Sequence, residues 1–129
     1  MCISKYGAKV HVESCNLNLC KQKWSWTPNK QIVSALDYAS PKCISVNHLT
    51  NWSRVVLHNC DSSSSLQKWE CKDGDLLSIQ GEKLYFNYGN AGPDIVLFWG
   101  IGLWSRWVKY STYHIHHNLC AKGNDLPIY

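Results

Sequence analysis

No run of apolar residues in this 129-residue chain approaches the roughly 18 that a membrane-spanning helix needs, so direct insertion into a bilayer is not expected. The opening Met1-Cys2-Ile3-Ser4-Lys5 lacks the apolar stretch of a signal peptide, which predicts a processed or excised piece of a longer protein. No long window carries a helical period of apolar residues, and this excludes a helical bundle. Also missing are a G-x-S-x-G elbow, an H-E-x-x-H pair and a glycine-rich phosphate loop. The carboxylates Glu70, Asp73, Asp75 and Glu82 are scattered, with no spacing that singles out two facing groups. Catalysis is therefore not expected, and no cofactor is implied. Thirteen basic residues against nine acidic ones give a net charge of +4, but they form no dense run of the kind that binds nucleic acid. That charge is compatible with an anionic ligand without requiring one.

Cysteine, by contrast, is plentiful. Seven in so short a chain, without the C-x2-C pairs of a structural zinc site, read as disulfides and place the protein outside the cytosol. The odd count leaves one thiol either free or bonded to a second chain. With 45% hydrophobic residues, the chain has material for one core and is read as a single domain over residues 1–129.

Laying the chain against itself reveals a repeat. Cys2-Ile3-Ser4, Cys15 and Gln22-Lys23-Trp24 recur as Cys43-Ile44-Ser45, Cys60 and Gln67-Lys68-Trp69. In both copies the second cysteine precedes the tryptophan by nine positions. A third tryptophan, Trp107 in Trp104-Ser105-Arg106-Trp107, marks a third unit that has lost the cysteine pair and the glutamine. The units are taken as about 1–41, 42–79 and 80–129. The repeat predicts the bridges Cys2–Cys15 and Cys43–Cys60, each closing a hairpin of similar size within its own unit and stabilising it by about 2–4 kcal/mol.

Between these anchors lie short strands: Lys9 to Glu13, Arg54 to His58, Leu84 to Tyr88 and Asp94 to Trp99 are β-branched, aromatic or alternating. Turn signals punctuate them at Thr27-Pro28-Asn29-Lys30, Asp73-Gly74-Asp75, Asn90-Ala91-Gly92-Pro93 and Lys122-Gly123-Asn124-Asp125. The expected class is all-β. Units this small cannot each bury an apolar face alone, so the three share one core, with Trp24, Trp69 and Trp107 inside it.

The pseudo-threefold Cys, Cys, Gln-x-Trp pattern resembles the ricin B-type β-trefoil. More closely, Leu66-Gln67-Lys68-Trp69-Glu70-Cys71-Lys72, Phe86-Asn87-Tyr88-Gly89-Asn90, Gly102-Leu103-Trp104-Ser105-Arg106-Trp107 and Asn118-Leu119-Cys120 resemble the N-terminal cysteine-rich domain of the macrophage mannose receptor family. The resemblance implies a disulfide-braced β-trefoil lectin domain of an endocytic receptor, on the extracellular side. It would recognise sulfated sugars, notably N-acetylgalactosamine (GalNAc) with a 4-sulfate on glycoproteins, without calcium. It also implies a Cys71–Cys120 bridge, which leaves Cys20 unpaired and open to a disulfide-linked dimer. Carried over by position, Trp104 beside Leu103 is the ring that stacks on the sugar, and the loop beginning at Gly89-Asn90 meets the sulfate.

The residues themselves allow two readings of each element. Trp104 lies three positions before Trp107, and in a strand that odd offset turns the two side chains to opposite faces, so Trp104 points outward either as a sugar platform or as a rim residue. Asn87, Tyr88, Gly89 and Asn90 form a turn-prone polar cluster, an anion cradle or simply a hairpin turn. His114, His116 and His117 with Cys120 read as a solvated loop rather than a metal site. Asn51-Trp52-Ser53 is an N-glycosylation triplet. After Asn90 the chain continues Ala91-Gly92-Pro93-Asp94, without the longer polar side chains of the receptor, and this leaves a second reading: a trefoil that binds protein and has lost sugar.

Overall fold

The computed structural model describes residues 2–16, 18–37, 39–110 and 116–120. Among them lie twelve strands, four to each repeat. The first group is β1 (Cys2–Tyr6), β2 (Lys9–Glu13), β3 (Trp24–Trp26) and β4 (Ile32–Ser34). The second is β5 (Lys42–Val46), β6 (Val55–Asn59), β7 (Trp69–Lys72) and β8 (Leu76–Ile79). The third is β9 (Tyr85–Gly89), β10 (Gly92–Phe98), β11 (Val108–Tyr110) and β12 (His116–Asn118). All pairings are antiparallel.

Each repeat opens with a hairpin, β1–β2, β5–β6 or β9–β10. Successive repeats are sewn together where the fourth strand of one pairs with the first of the next, Val33 opposite Cys43 and Ser78 opposite Tyr85. The second strands converge as well: Lys9 pairs with Val56, and Arg54 bridges to Val96. Three similar units closing about one axis make a β-trefoil, the class expected from the repeat.

The chemistry that sets this symmetry is the same in all three units. A single 3-10 turn precedes each repeat tryptophan: Cys20–Gln22, Ser65–Gln67 and Leu103–Ser105. Trp24, Trp69 and Trp107 are buried, as expected. The indole Nε1–H of each donates to a first-strand carbonyl of its own repeat: Trp24 to Ile3 at 3.0 Å, Trp69 to Ile44 at 2.9 Å and Trp107 to Phe86 at 2.7 Å. These bonds align Tyr85-Phe86-Asn87 with the two Cys-Ile-Ser segments. Phe86 meets Trp69 and Trp107 edge-on, with ring centroids 5.7 and 5.1 Å away, so the third repeat fills the core with a ring where the others use isoleucine.

Gln22 and Gln67 satisfy backbone groups at the junctions, as buried polar groups must. Gln22 accepts from the Asn16 N–H and donates to the Ser14 carbonyl; Gln67 accepts from the Asp61 N–H and donates to the Asn59 carbonyl. The bridges Cys2–Cys15, Cys43–Cys60 and Cys71–Cys120 are present, and Cys20 is free and exposed. The expected strands appear with small shifts at their ends. The turn at residues 90–93 is shorter than expected, because Gly92 and Pro93 already belong to β10. The turn expected at Lys122 to Asp125 lies outside the described residues.

Truncating one of these indoles removes a large buried area and leaves a carbonyl without its donor. Trp107→Ala is expected to lower stability by about 3–5 kcal/mol, read from the urea midpoint at unchanged slope.

Candidate functional site

The third repeat differs from the others where Gln22 and Gln67 would have a counterpart. Ser105 takes that place, with a much shorter arm. Its hydroxyl donates to the Gly100 carbonyl at 2.8 Å and accepts from the Asn87 side-chain amide at 2.9 Å. The Asn87 oxygen in turn accepts from the backbone N–H and the side-chain amide of Asn90, at 3.4 and 3.2 Å. This chain of polar contacts ties the loop after β10 and the 3-10 turn to the end of the β9–β10 hairpin.

Trp104 rides on that turn. Its ring lies against Gly89: a Cβ added to Gly89 would stand 2.6 and 2.7 Å from two indole carbons, too close for any side chain. Gly89 also has φ +122°, a conformation that L residues rarely adopt. Glycine is therefore required twice over, for its backbone angle and for the seat it gives the ring. Trp104 remains 54% exposed and Leu103 80% exposed. Together with Asn90, Phe98 and Gly102 they line an open depression of about 340 Å³.

The structure thus brings together four of the residues expected at the site, Trp104, Leu103, Gly89 and Asn90, and sets two apart. Asn87 is only 1% exposed and lies beneath the depression, where it positions Asn90 and Ser105 instead of facing a ligand. Tyr88 packs partly buried against the core. Asn87, Tyr88 and Gly89 are strand residues, and the turn is confined to Asn90 and Ala91. Trp104 points outward, but not by strand alternation: it sits in a 3-10 turn, where side chains do not alternate between two faces. Phe98 and Gly102, which complete the lining, escaped the sequence reading. The signal for Phe98 is its place at the end of an apolar strand, just before Trp99-Gly100.

At the matching positions of the first repeat, Tyr6 stands for Gly89 and Lys21 for Trp104. Tyr6 stacks on His11, with ring centroids 4.9 Å apart, and the Lys21 ammonium lies 4.8 Å from the Tyr6 ring. Lys21 also pairs with Glu13 at 3.0 Å. That lysine, followed by the Ser4 hydroxyl, holds the Glu13 carboxyl below its ordinary range, and Glu13 raises Lys21 in return. In the second repeat the pair is Asn47 and Leu66. An aromatic ring left open on a glycine is peculiar to the third repeat among these positions.

Other candidates resolve simply. Glu70 pairs with Lys72 and Lys30, at 3.5 and 3.8 Å, and Asp75 with Arg106 at 2.6 Å, so two of the scattered carboxylates are engaged in separate ion pairs. Among the described residues no group of three or more His, Cys, Asp or Glu is placed to hold a metal ion. His114 lies outside the described residues, His116 and His117 belong to β12, and Cys120 is bonded to Cys71. No helix among the described residues is long and apolar enough to cross a membrane.

The profile of the ricin-type beta-trefoil lectin domain matches residues 1–87, two thirds of the chain. The chain belongs to this family. Among its relatives is N-acetylgalactosaminyltransferase 7 of Homo sapiens and of Pongo abelii, each 36% identical over 64 residues, which is 50% of this chain and 9% of the relative. Similar solved structures include an agglutinin from Abrus precatorius, with TM-score 0.72 and 16% identity, covering 81% of this chain and 40% of that one. Another is a non-toxic homologue of type II RIPs from Momordica charantia in complex with α-methyl-D-galactoside, with TM-score 0.70 and 22% identity, covering 82% and 42%. At these identities the two structures establish the fold alone. The chain spans less than half the length of each of these proteins.

The seat of Trp104 can be tested without any ligand. Gly89→Ala is expected to cost about 1–3 kcal/mol through backbone strain. It is also expected to displace the Trp104 indole N–H resonance in a nitrogen–proton correlation spectrum, while those of Trp24 and Trp69 stay in place.

Proposed function

We propose that this ricin-type domain is a calcium-independent lectin that binds a terminal, sulfated GalNAc-type sugar at its third repeat and serves as the sugar-reading module of an endocytic receptor resembling the macrophage mannose receptor. One observation carries the binding site: the Trp104 ring is fixed on one side by Gly89 and exposed beside polar Asn90 in an open depression. A sugar offers an apolar C–H face for such a ring and hydroxyls for the polar groups around it.

The names of the relatives point the same way, one toward N-acetylgalactosamine and one toward a galactoside. Support for sulfate comes from the two-residue turn Asn90-Ala91, flanked by Gly89 and Gly92 at φ +122° and +67°, since backbone of this kind can turn N–H groups toward an anion. The bridges within the chain support an extracellular or lumenal setting. The domain is read as a binding module and not as an enzyme.

A second reading, a protein-binding trefoil without sugar affinity, draws on the exposed apolar side chains of Leu103 in the depression and of Trp99 and Ile101 near it in sequence. A glycan array carrying sulfated and unsulfated sugars separates the two. The lectin reading expects binding that survives chelation of calcium, favours sulfated GalNAc, and is lost in Trp104→Ala with no shift in the melting temperature. Failure of every sugar on the array would overturn it in favour of the second reading.

A further inference from the structure

Beside the depression runs a ridge of rings, of which the proposed site uses Phe98 alone. Phe98 stands between Trp52, with centroids 5.0 Å apart, and Trp99, at 5.6 Å. Trp99 is 66% exposed and Trp52 50%, large values for so apolar a surface. Trp52 also has φ +73°, a left-handed conformation unusual for a bulky residue. Its neighbours enforce it: the Trp52 N–H donates to the Leu97 carbonyl at 2.8 Å, and the Leu97 N–H to the Ser53 carbonyl at 2.8 Å.

Asn51 joins both ends of this ridge. It is bonded in sequence to Trp52, and its side-chain oxygen Oδ1 accepts from the Trp99 backbone N–H at 3.0 Å. It heads the triplet Asn51-Trp52-Ser53, in a turn between exposed residues. Glycosylation of asparagine takes place at Nδ2 and leaves Oδ1 an acceptor. The bond to Trp99 is therefore compatible with a glycan and fixes the plane of the amide that would carry it.

We propose that Asn51 carries an N-linked glycan whose first N-acetylglucosamine packs its C–H face on the Trp99 and Trp52 rings and covers the ridge. In the forming step, Nδ2 attacks the anomeric carbon of a lipid diphosphate-linked oligosaccharide. A C–N bond forms, the C–O bond to the diphosphate breaks, one amide proton is released, and the lipid diphosphate leaves. The occupant of this apolar surface is thus the chain's own sugar, independent of whatever ligand reaches Trp104.

The test is secretion of the domain from cells that leave their glycans in the oligomannose form, followed by enzymatic trimming to a single N-acetylglucosamine. Intact mass is expected to show the modification, and Asn51→Gln to lack it. The trimmed protein is expected to melt about 3–6 °C above Asn51→Gln. That gap is expected to vanish in the Trp99→Ala background. Should Trp99→Ala fold poorly, nuclear Overhauser contacts between the sugar protons and the Trp99 indole in the wild-type protein give the same answer. A secreted protein unmodified at Asn51, an equal gap with and without Trp99, or an absence of sugar–indole contacts would overturn the proposal. None of these readouts depends on binding at Trp104, so this inference and the lectin reading fail separately.

Discussion

A buried indole must place its N–H on an acceptor, and in this domain that demand is met the same way three times, by the carbonyl of the middle residue of a three-residue motif in the first strand of the same repeat. Meeting it fixes how the 3-10 turn enters the core and how the hairpin lies across it. The three turns must then emerge at equivalent points around the axis. The residue three positions before each tryptophan consequently lies on the 3-10 turn at the rim of the core, half-buried as Lys21 and Leu66 and exposed as Trp104. The fold supplies three equivalent locations there and leaves their contents to the side chains.

Those contents diverge. In the first repeat an ammonium, a carboxylate, an imidazole and a phenol engage one another, so the ring of Tyr6 is already occupied by its own neighbours. In the third repeat the corresponding strand residue is glycine, and the corresponding turn residue is tryptophan with a face left over. The shape of this location follows from removal as much as from addition: a missing side chain at Gly89 seats the ring, and a shortened one at Ser105 draws the loop toward Asn87. Asn87, buried and holding the others in place, contributes stiffness at the floor of the depression.

The first two repeats could be read directly from the sequence because their symmetry is written in residue types that tolerate few substitutes: cysteines that must meet, and a glutamine long enough to reach two backbone groups. The third repeat uses other residues for the same positions. Tyr85-Phe86-Asn87 fills the place of Cys-Ile-Ser and Ser105 that of glutamine, so only Trp107 betrayed it. The exposure of Trp104 was anticipated from strand geometry that does not hold there, since a tight turn and not a strand carries it. Asn87 looked like a ligand contact because asparagine before Tyr-Gly-Asn reads as a polar turn, and a sequence does not reveal that a polar side chain is buried when its partner lies 18 residues away in another element.

The bond between Cys71 and Cys120 joins β7 of the second repeat to the segment just after β12 of the third. It crosses between modules, whereas Cys2–Cys15 and Cys43–Cys60 each stay within one. A pulling force applied beyond residue 120 would therefore be transmitted through sulfur into β7 before the hydrogen bonds between β11 and β12 carried any of it. The depression beside Trp104 would then be shielded from mechanical load for as long as that covalent crossing stays oxidised.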